Sequence, residues 1–443
     1  LTSNNNAVSS DTERRKPPKS GSALVLTIAA ALCSTTVVTA TLGFAFWALA
    51  AHIASAETVG RSAAMISAMQ FIATFATLGL HTLLIAELPR RDGPDVRRLV
   101  VTCVGAAGAV GLLGATGYAL VQNGFGHSEW MYSSPVGVVL FGVGTAVSTV
   151  TIVLDGAMVG VQQSGRQVSR NLVFSVVKLA ALPLAAFAVG MSPQIIFAVW
   201  LLGNLVSLAI LAMRTEAVDQ WLTTAPTVRG FSPLWRAAAG HHWVNVATQA
   251  PRLALPVLVA VQLSSEVNAA FYAALLLATF IWIVPNHLAT AMFALHSGNP
   301  EHFETGLNTA IRLSAVVSIL AAVGAPFLAQ PMLAIFGRQY EEARYCLIAM
   351  AVCTFASAIK SIYIAVRRAQ GALGRAARAA ILGAGLELGA AEVGLQLGGI
   401  TGIGIALGVA TVVEAMFFWP AIRAARRQFA AQSAVPVCGG ENA

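Results

Sequence analysis

The chain has 443 residues, of which 57% are hydrophobic and only 10% charged, with a formal net charge of +8. A water-soluble domain carries about 25% charged residues, so a soluble protein, a disordered chain, a coiled coil and a secreted disulfide scaffold are excluded. The apolar runs are continuous rather than alternating, which sets aside a β-barrel. With a mean hydropathy of +0.73, an all-α polytopic membrane protein remains.

In chain order, residues 1–21 are polar and basic, contain Pro17-Pro18, and read as a disordered cytoplasmic tail. About 20 apolar residues cross the hydrocarbon layer. That length predicts twelve transmembrane helices near 22–50, 62–88, 98–122, 134–160, 168–189, 193–213, 239–261, 267–293, 307–329, 344–366, 376–397 and 400–420. Ala54-Ser55-Ala56 after the first resembles a signal-peptide cleavage site. The apolar segment before it is about twice the length of a signal h-region of roughly 7–15 residues, so it is read as a span. Residues 214–238 form the longest internal hydrophilic stretch and are read as a cytoplasmic linker. It separates an N-lobe of six helices (22–213) from a C-lobe of six (239–420), and 421–443 is a second cytoplasmic tail.

Lysine and arginine set the orientation. With the N-terminus inside, the inner segments carry 21 of them and the outer loops only Arg61, Arg338 and Arg344. Lys178, Arg252 and Lys360 fall within spans. This asymmetry places both termini in the cytoplasm. The basic residues lie in short loops between apolar segments, so the positive charge does not indicate a nucleic-acid partner.

An offset of 209 superimposes the turn before the fifth span on the turn before the eleventh: Gly165 on Gly374, Arg166 on Arg375, Lys178 on Glu387. The same turn at the same place in each half points to two pseudo-symmetric lobes. Glycines recur every third residue from Gly105 to Gly117, and G-x-x-x-G pairs occur at Gly156/Gly160, Gly385/Gly389 and Gly398/Gly402, as in closely packed membrane helices. The five cysteines form no C-x-x-C and read as small core residues.

Enzyme chemistry is missing from the sequence. There is no G-x-x-x-x-G-K-[ST] phosphate loop and no H-E-x-x-H, and the outer loops hold only scattered carboxylates. No enzyme activity, cofactor or metal site is expected.

Lipid penalises polar atoms, so polar stripes on spanning helices should face protein or a water-filled cavity. Span two carries Ser67, Gln70, Thr74, Thr77 and His81 on one helical face. Span seven carries His241, Asn245, Gln249 and Arg252 with Thr248 beside them, and span eight carries Asn268, Tyr272, Thr279, Asn286 and Thr290. Serine and threonine on such faces commonly bond their own helix backbone. Arg252 differs: it sits near the middle of its span between Pro251 and Pro256. A mid-bilayer arginine costs at least about 2.5–3.5 kcal/mol. It therefore requires a carboxylate partner or a hydrated cavity. The expected substrate-binding cavity residues are Arg252, Gln249, Asn245, His241, Gln70, Thr74, His81 and Asn286. Asp155 and Lys178, on adjacent spans, are expected to pair; Lys360, Glu387, Glu392 and Glu414 cluster on spans ten to twelve. Such groups serve as structural ion pairs or couple transport to ions.

Three stretches resemble the multidrug/oligosaccharidyl-lipid/polysaccharide (MOP) flippase superfamily, and within it the polysaccharide transporters, including O-antigen flippases. Span two, from Glu57-Thr58-Val59-Gly60 through Thr77-Leu78-Gly79-Leu80 to Glu87-Leu88-Pro89-Arg90, is similar to the family's second helix. Leu333-Ala334-Ile335-Phe336-Gly337-Arg338-Gln339-Tyr340, followed by Ala343, resembles its Phe-Gly-x-x-Tyr segment between helices nine and ten. Leu154-Asp155-Gly156 to Leu172, with Lys178, resembles its helix four-to-five turn. The resemblance implies two six-helix lobes forming a V, with helices one, two, seven and eight lining the cavity. It implies translocation of a polyprenyl-diphosphate-linked oligosaccharide to the outer leaflet by alternating access, with Arg252 holding the diphosphate. The expected location is a bacterial inner membrane. The expected partners are the lipid-linked glycan, membrane lipids, and a glycan polymerase or glycosyltransferases. Peptidoglycan-precursor flippases carry several cavity arginines, whereas Arg252 is the one deep arginine here.

Three other readings compete. A MATE-like cation-coupled drug antiporter shares the fold. A major-facilitator transporter also has twelve spans, but its Gly-x-x-x-Asp-Arg loop is not matched by Pro89-Arg-Arg-Asp-Gly-Pro-Asp-Val-Arg-Arg98. The last is a scaffold for glycan enzymes.

Overall fold

A computed structural model describes residues 21–124, 135–215, 220–221, 223–226, 231–298 and 303–433. The predicted N-terminal tail to residue 20, the end of the C-terminal tail and parts of the 214–238 linker lie outside the described residues. Regular structure among the described residues is helical throughout. The longer helices are α1 (Gly21–Ile53), α2 (Ala56–Ala76), α3 (Leu80–Glu87), α4 (Gly93–Gly124), α5 (Pro135–Gly160), α6 (Ser164–Val189) and α7 (Pro193–Met213). They continue with α8 (Phe231–Gln262), α9 (Ser265–Gly298), α10 (Phe303–Ala334), α11 (Arg344–Val352), α12 (Thr354–Ala369) and α13 (Leu373–Ser433).

Nine described helices are long and apolar enough to cross a membrane, and two bent pairs raise the number to eleven. The chain is a multi-pass membrane protein. The bent pairs depart from the continuous spans expected at 62–88 and 344–366: the chain bends by 49° between α2 and α3 and by 48° between α11 and α12. At the first break Leu78 and Gly79 take positive φ, 50° and 75°. A Cβ on Gly79 would stand 2.5 Å from the Ala238 carbonyl oxygen, so the glycine also lets α8 approach.

The 61 residues of α13 would run roughly 90 Å if straight, about three times a bilayer's hydrocarbon thickness. Instead the backbone leaves helical geometry at Gly398 and Gly399. Gly394 contacts Gly402 across this break, and Gly383 packs on the Glu414 carboxylate farther along. The two limbs therefore lie antiparallel. The second continues through Ser433, past the start of the predicted tail, along an Ala-, Arg- and Gln-rich run of strong helix formers.

The turns predicted to repeat have the same backbone. Gln162 (φ 61°) and Gly371 (φ 65°), 209 residues apart, are both left-handed. The Gln163 N–H donates to Met158 O at 2.7 Å, and the Ala372 N–H to Arg367 O at 2.9 Å. The Gln162 and Gly371 N–H groups donate to Val159 O and Arg368 O, each at 3.0 Å. These are paired 6→1 and 5→2 bonds that cap a helix before reversal.

The first seven helices pack mainly among themselves, α4 on α5 and α6 on α7, as do the last six, with α13 on α8 and α12. The seam between the two groups is made by α1 and α2 against α8, α9 and α10. Because successive helices reverse direction, Arg90, Arg91, Arg166, Arg367, Arg368 and Arg375 gather at one end of the bundle. At the other end Asn268 Nδ2 donates to Gly60 O at 2.7 Å, and Gly60 lies against the Ser265 carbonyl.

Candidate functional site

Two cavities flank the wall made by α8 and α9. The first, about 560 Å³, opens on the N-terminal half and is lined by Ser67, Gln70, Thr74, Thr77 and His81, with Trp200 and Tyr272. The second, about 470 Å³, lies in the C-terminal half, where Asn286, Thr290, Ser357, Lys360, Ser361, Arg368 and Glu387 contribute. Asn245, Thr248, Gln249, Arg252, Leu275 and Thr279 line both. The spacing of Asn245, Gln249 and Arg252 brings them to one face of α8, which is the dividing wall.

Arg252 makes no ion pair or hydrogen bond with any described residue, and its Nε is buried without a partner. Its charge is therefore available to a ligand on either side of the wall. Around it the polar groups are mostly neutral. The hydroxyls of Thr74, Thr248 and Thr279 donate to carbonyls of their own helices, at 2.7, 2.9 and 2.9 Å, which leaves their oxygens able to accept. The side-chain amides of Gln70 and Gln249 bond no described residue. Asn286 Oδ1 accepts from Ser361 Oγ at 2.7 Å. His81 Nε2 is 3.2 Å from Thr82 Oγ1, which accepts from Asn245 Nδ2 at 3.2 Å; Asn245 Oδ1 in turn accepts from Arg368 at 3.0 Å. The arrangement offers fixed cationic charge amid uncharged donors and acceptors.

Of the expected cavity residues, seven border these two spaces: Arg252, Gln249, Asn245, Gln70, Thr74, His81 and Asn286. His241 is a correction: it lines neither cavity. It stands one turn nearer the arginine-rich end, where α8 closes on α13 through Gly240 and Leu373. Asn268 and Tyr272, on the same predicted stripe of α9, also part company. Tyr272 lines the first cavity, while Asn268 is buried in the seam.

The expected Asp155–Lys178 pair is not formed. Asp155 instead holds Arg170 in a bidentate pair, Nε–Oδ1 2.9 Å and Nη2–Oδ2 2.8 Å, with Asn171 also donating to it. Depth explains the exchange: Asp155 and Arg170 lie seven and eight residues from Gln162 at the reversal, whereas Lys178 lies sixteen beyond it. Lys178 has three rings for neighbours, its Nζ standing 3.7 Å from the Trp200 centroid, 4.4 Å from Phe174 and 5.1 Å from Phe46. Cation–π attraction of this kind is worth up to about 2 kcal/mol when desolvated. Gly203 of α7 leaves the room, since a Cβ there would meet the Lys178 Cβ at 3.2 Å.

The other charge cluster holds together as a triad. Lys360 Nζ lies 2.7 Å from Glu387 Oε1 and 3.1 Å from Glu414 Oε2, at the edge of the second cavity. Glu392 stands apart, accepting from Gln262 and Gln396. Arg368 also lines the second cavity, a position that the sequence reading does not single out. Its signal was present: Ser357, Ser361, Ile364 and Arg368, spaced by 4, 3 and 4, form one face of α12, and all line the cavity.

No family model matches the chain, and no curated protein does. Solved structures do resemble it. A multidrug-resistance MATE family transporter of the MOP superfamily in an inward-facing conformation aligns at a TM-score of 0.69 and 15% identity, over 94% of this chain and all of that one. The outward-facing conformation of such a transporter aligns at 0.61 and 13%, over 93% and 97%. A MOP superfamily transporter from Pyrococcus furiosus, described as having a binding pocket of reverse polarity that suggests a different function, aligns at 0.62 and 13%, over 93% and 97%. The chain therefore has the fold seen in MATE transporters of the MOP superfamily.

Proposed function

We propose that this protein is a MOP-type transporter that carries a polyprenyl-diphosphate-linked oligosaccharide from the cytoplasmic to the outer leaflet of a bacterial inner membrane by alternating access. In this reading the two limbs of α13 cross separately, for twelve crossings with six in each half, and the arginine-rich end and both termini lie in the cytoplasm. The observation that carries the reading is Arg252, an unpartnered guanidinium on the wall shared by two cavities. A diphosphate requires a fixed cation, for which a guanidinium's fork is suited. The sugars require hydroxyl and amide partners, which Gln70, Thr74, Gln249 and Asn286 supply. Glycosyltransferases or a polymerase would make and consume the cargo on either side of the membrane.

The test is leaflet accessibility of a lipid-linked oligosaccharide in reconstituted vesicles. Arg252→Ala should slow translocation by about tenfold to a hundredfold, the loss expected for a charge-assisted hydrogen bond. Equal rates for both proteins would remove Arg252 from the mechanism and, with it, the basis of this reading.

A cation-coupled drug antiporter is the second reading, favoured by the multidrug transporters among the similar structures and by the Lys360–Glu387–Glu414 triad, which could bind or release a coupling ion. Uptake of a cationic drug into reconstituted vesicles driven by an imposed ion gradient separates the two: it is expected under the second reading alone.

A further inference from the structure

The cavity of the C-terminal half contains a second arginine whose charge nothing described neutralises. Arg368 stands in the last turn of α12, at the arginine-rich end of the cavity. It has no carboxylate partner among the described residues, its Nε is buried and unbonded, and its one partner is the neutral amide oxygen of Asn245, at 3.0 Å. Lys360, in the same cavity, is already held by Glu387 and Glu414.

Asn245 and Arg252 are seven residues apart on α8, so the amide that Arg368 grips lies roughly 10 Å along the helix axis from Arg252. A diphosphate seated on Arg252 does not reach that far. Between the two arginines the wall offers uncharged groups, Thr248 and Gln249 on α8 and the Ser361–Asn286 pair opposite, suited to hydroxyls rather than to more charge. The cavity has a free guanidinium at each end and a neutral α8 wall between them, and the other charges in its lining, Lys360 and Glu387, are paired with each other. That arrangement matches an elongated ligand with an anion at each end and a polar, uncharged stretch in the middle.

We propose that Arg368 is a second anion site and that the transported glycan is acidic, carrying a carboxylate a sugar or two from its diphosphate. The Asn245 amide oxygen occupies the place that one carboxylate oxygen would take, and the exchange would replace a neutral acceptor with a charged one on the same guanidinium. This rests on the flippase reading above and adds to it the class of sugar. The competing role for Arg368 is structural, since the run Arg368–Asn245–Thr82 ties α12 to α8 and α3.

The experiment measures binding of two probes to the full-length protein in lipid nanodiscs. Both are polyprenyl-diphosphate disaccharides, one ending in glucuronate and the other in glucose. The wild type should hold the acidic probe about tenfold to a hundredfold more tightly. Arg368→Gln keeps a polar side chain but removes the charge, and its shorter amide also gives up the bond that Nη2 makes to Asn245. It should abolish that preference by weakening the acidic probe far more than the glucose probe, whereas Arg252→Ala should weaken both probes alike. Equal binding of the two probes by the wild type overturns the acidic-glycan inference alone. So does an Arg368→Gln protein that weakens both probes equally, as a structural tie would, or that keeps the preference. A wild type that binds neither probe overturns the flippase reading and this inference with it.

Discussion

Asp155 and Lys178 are both ionisable groups within apolar helices, yet their surroundings assign them opposite contributions to stability. Asp155 is committed to Arg170, whose side chain is 4% exposed. Removing one partner of such a pair strands the other, at a cost of about 3–5 kcal/mol. Asp155→Asn should therefore lower the thermal stability of the purified protein sharply, and Asp155→Asn with Arg170→Met should recover part of the loss. Lys178 strands nothing, because its neighbours are rings. Lys178→Met keeps the volume and ends the desolvation of an ammonium, so stability should stay the same or rise. A Lys178→Met protein as unstable as Asp155→Asn would show that the ammonium–ring contacts hold this half together. The residue types at this scale were legible in the sequence: a mid-span arginine, a polar stripe and a lysine–glutamate cluster all stand out against an apolar background. Partner choice was less so. It depends on which residues share a depth across a reversal, and the two extra helical turns between Arg170 and Lys178 decided it. The aromatic enclosure of Lys178 joins Phe174, one turn away on the same helix, to Trp200 of α7 and Phe46 of α1, and the distance of Phe46 in the sequence hides its proximity.

The same division holds for whole elements. Hydropathy locates apolar segments but is blind to the direction of the helix axis, so the breaks at Leu78-Gly79 and Cys353 pass unnoticed in uniformly apolar runs. Neither break contains a proline to announce it. The α2–α3 break nonetheless shapes the site. Ser67, Gln70 and Thr74 precede it and His81 follows it, and all four border one cavity. Gly79 carries that geometry. An alanine there would bear a left-handed cost of about 1–2 kcal/mol. Its Cβ would also press on the backbone oxygen of Ala238, an atom that cannot rotate away. Gly79→Ala should thus reduce thermal stability and, under the proposed function, translocation, whereas Gly93→Ala, left-handed but in open space, should bear the backbone cost alone. Equal losses in the two variants would mean that the approach of α8 contributes nothing. The repeated turns, in contrast, were legible, because Gly165-Arg166 and Gly374-Arg375 mark helix starts just after backbone reversals that must be capped.

For the molecule as a whole, the end opposite the arginine cluster is where α1 and α2 close on the second half. Gly60 of α2 lies against the Ser265 carbonyl of α9 and accepts from Asn268, Phe44 meets Phe336 at 5.0 Å, and Trp47 meets Tyr272 at 4.9 Å. Glycine lets backbone touch backbone there, so a side chain at residue 60 would be opposed by a main-chain oxygen rather than by a movable group. Under the proposed alternating access this contact would have to break each time cargo leaves, so its strength would set the balance between the two open forms. Gly60→Val should push the halves apart at that end and shift the population toward the outward-open form. The shift can be read from Gln70→Cys, placed in a protein without its five native cysteines, as the rate of labelling by a membrane-impermeant maleimide added from outside. Because Gln70 borders the first cavity on the far side of the contact, labelling should be slow when Gly60 is kept. It should be about tenfold faster in the Gly60→Val protein if the shift is worth about 1.4 kcal/mol. Asn268→Leu, which removes the hydrogen bond to the Gly60 oxygen without adding bulk there, should move the rate in the same direction by less. Labelling that is equally fast in all three proteins would mean that this end is not closed in the membrane, and that the seam between Gly60 and Asn268 is packing rather than a gate.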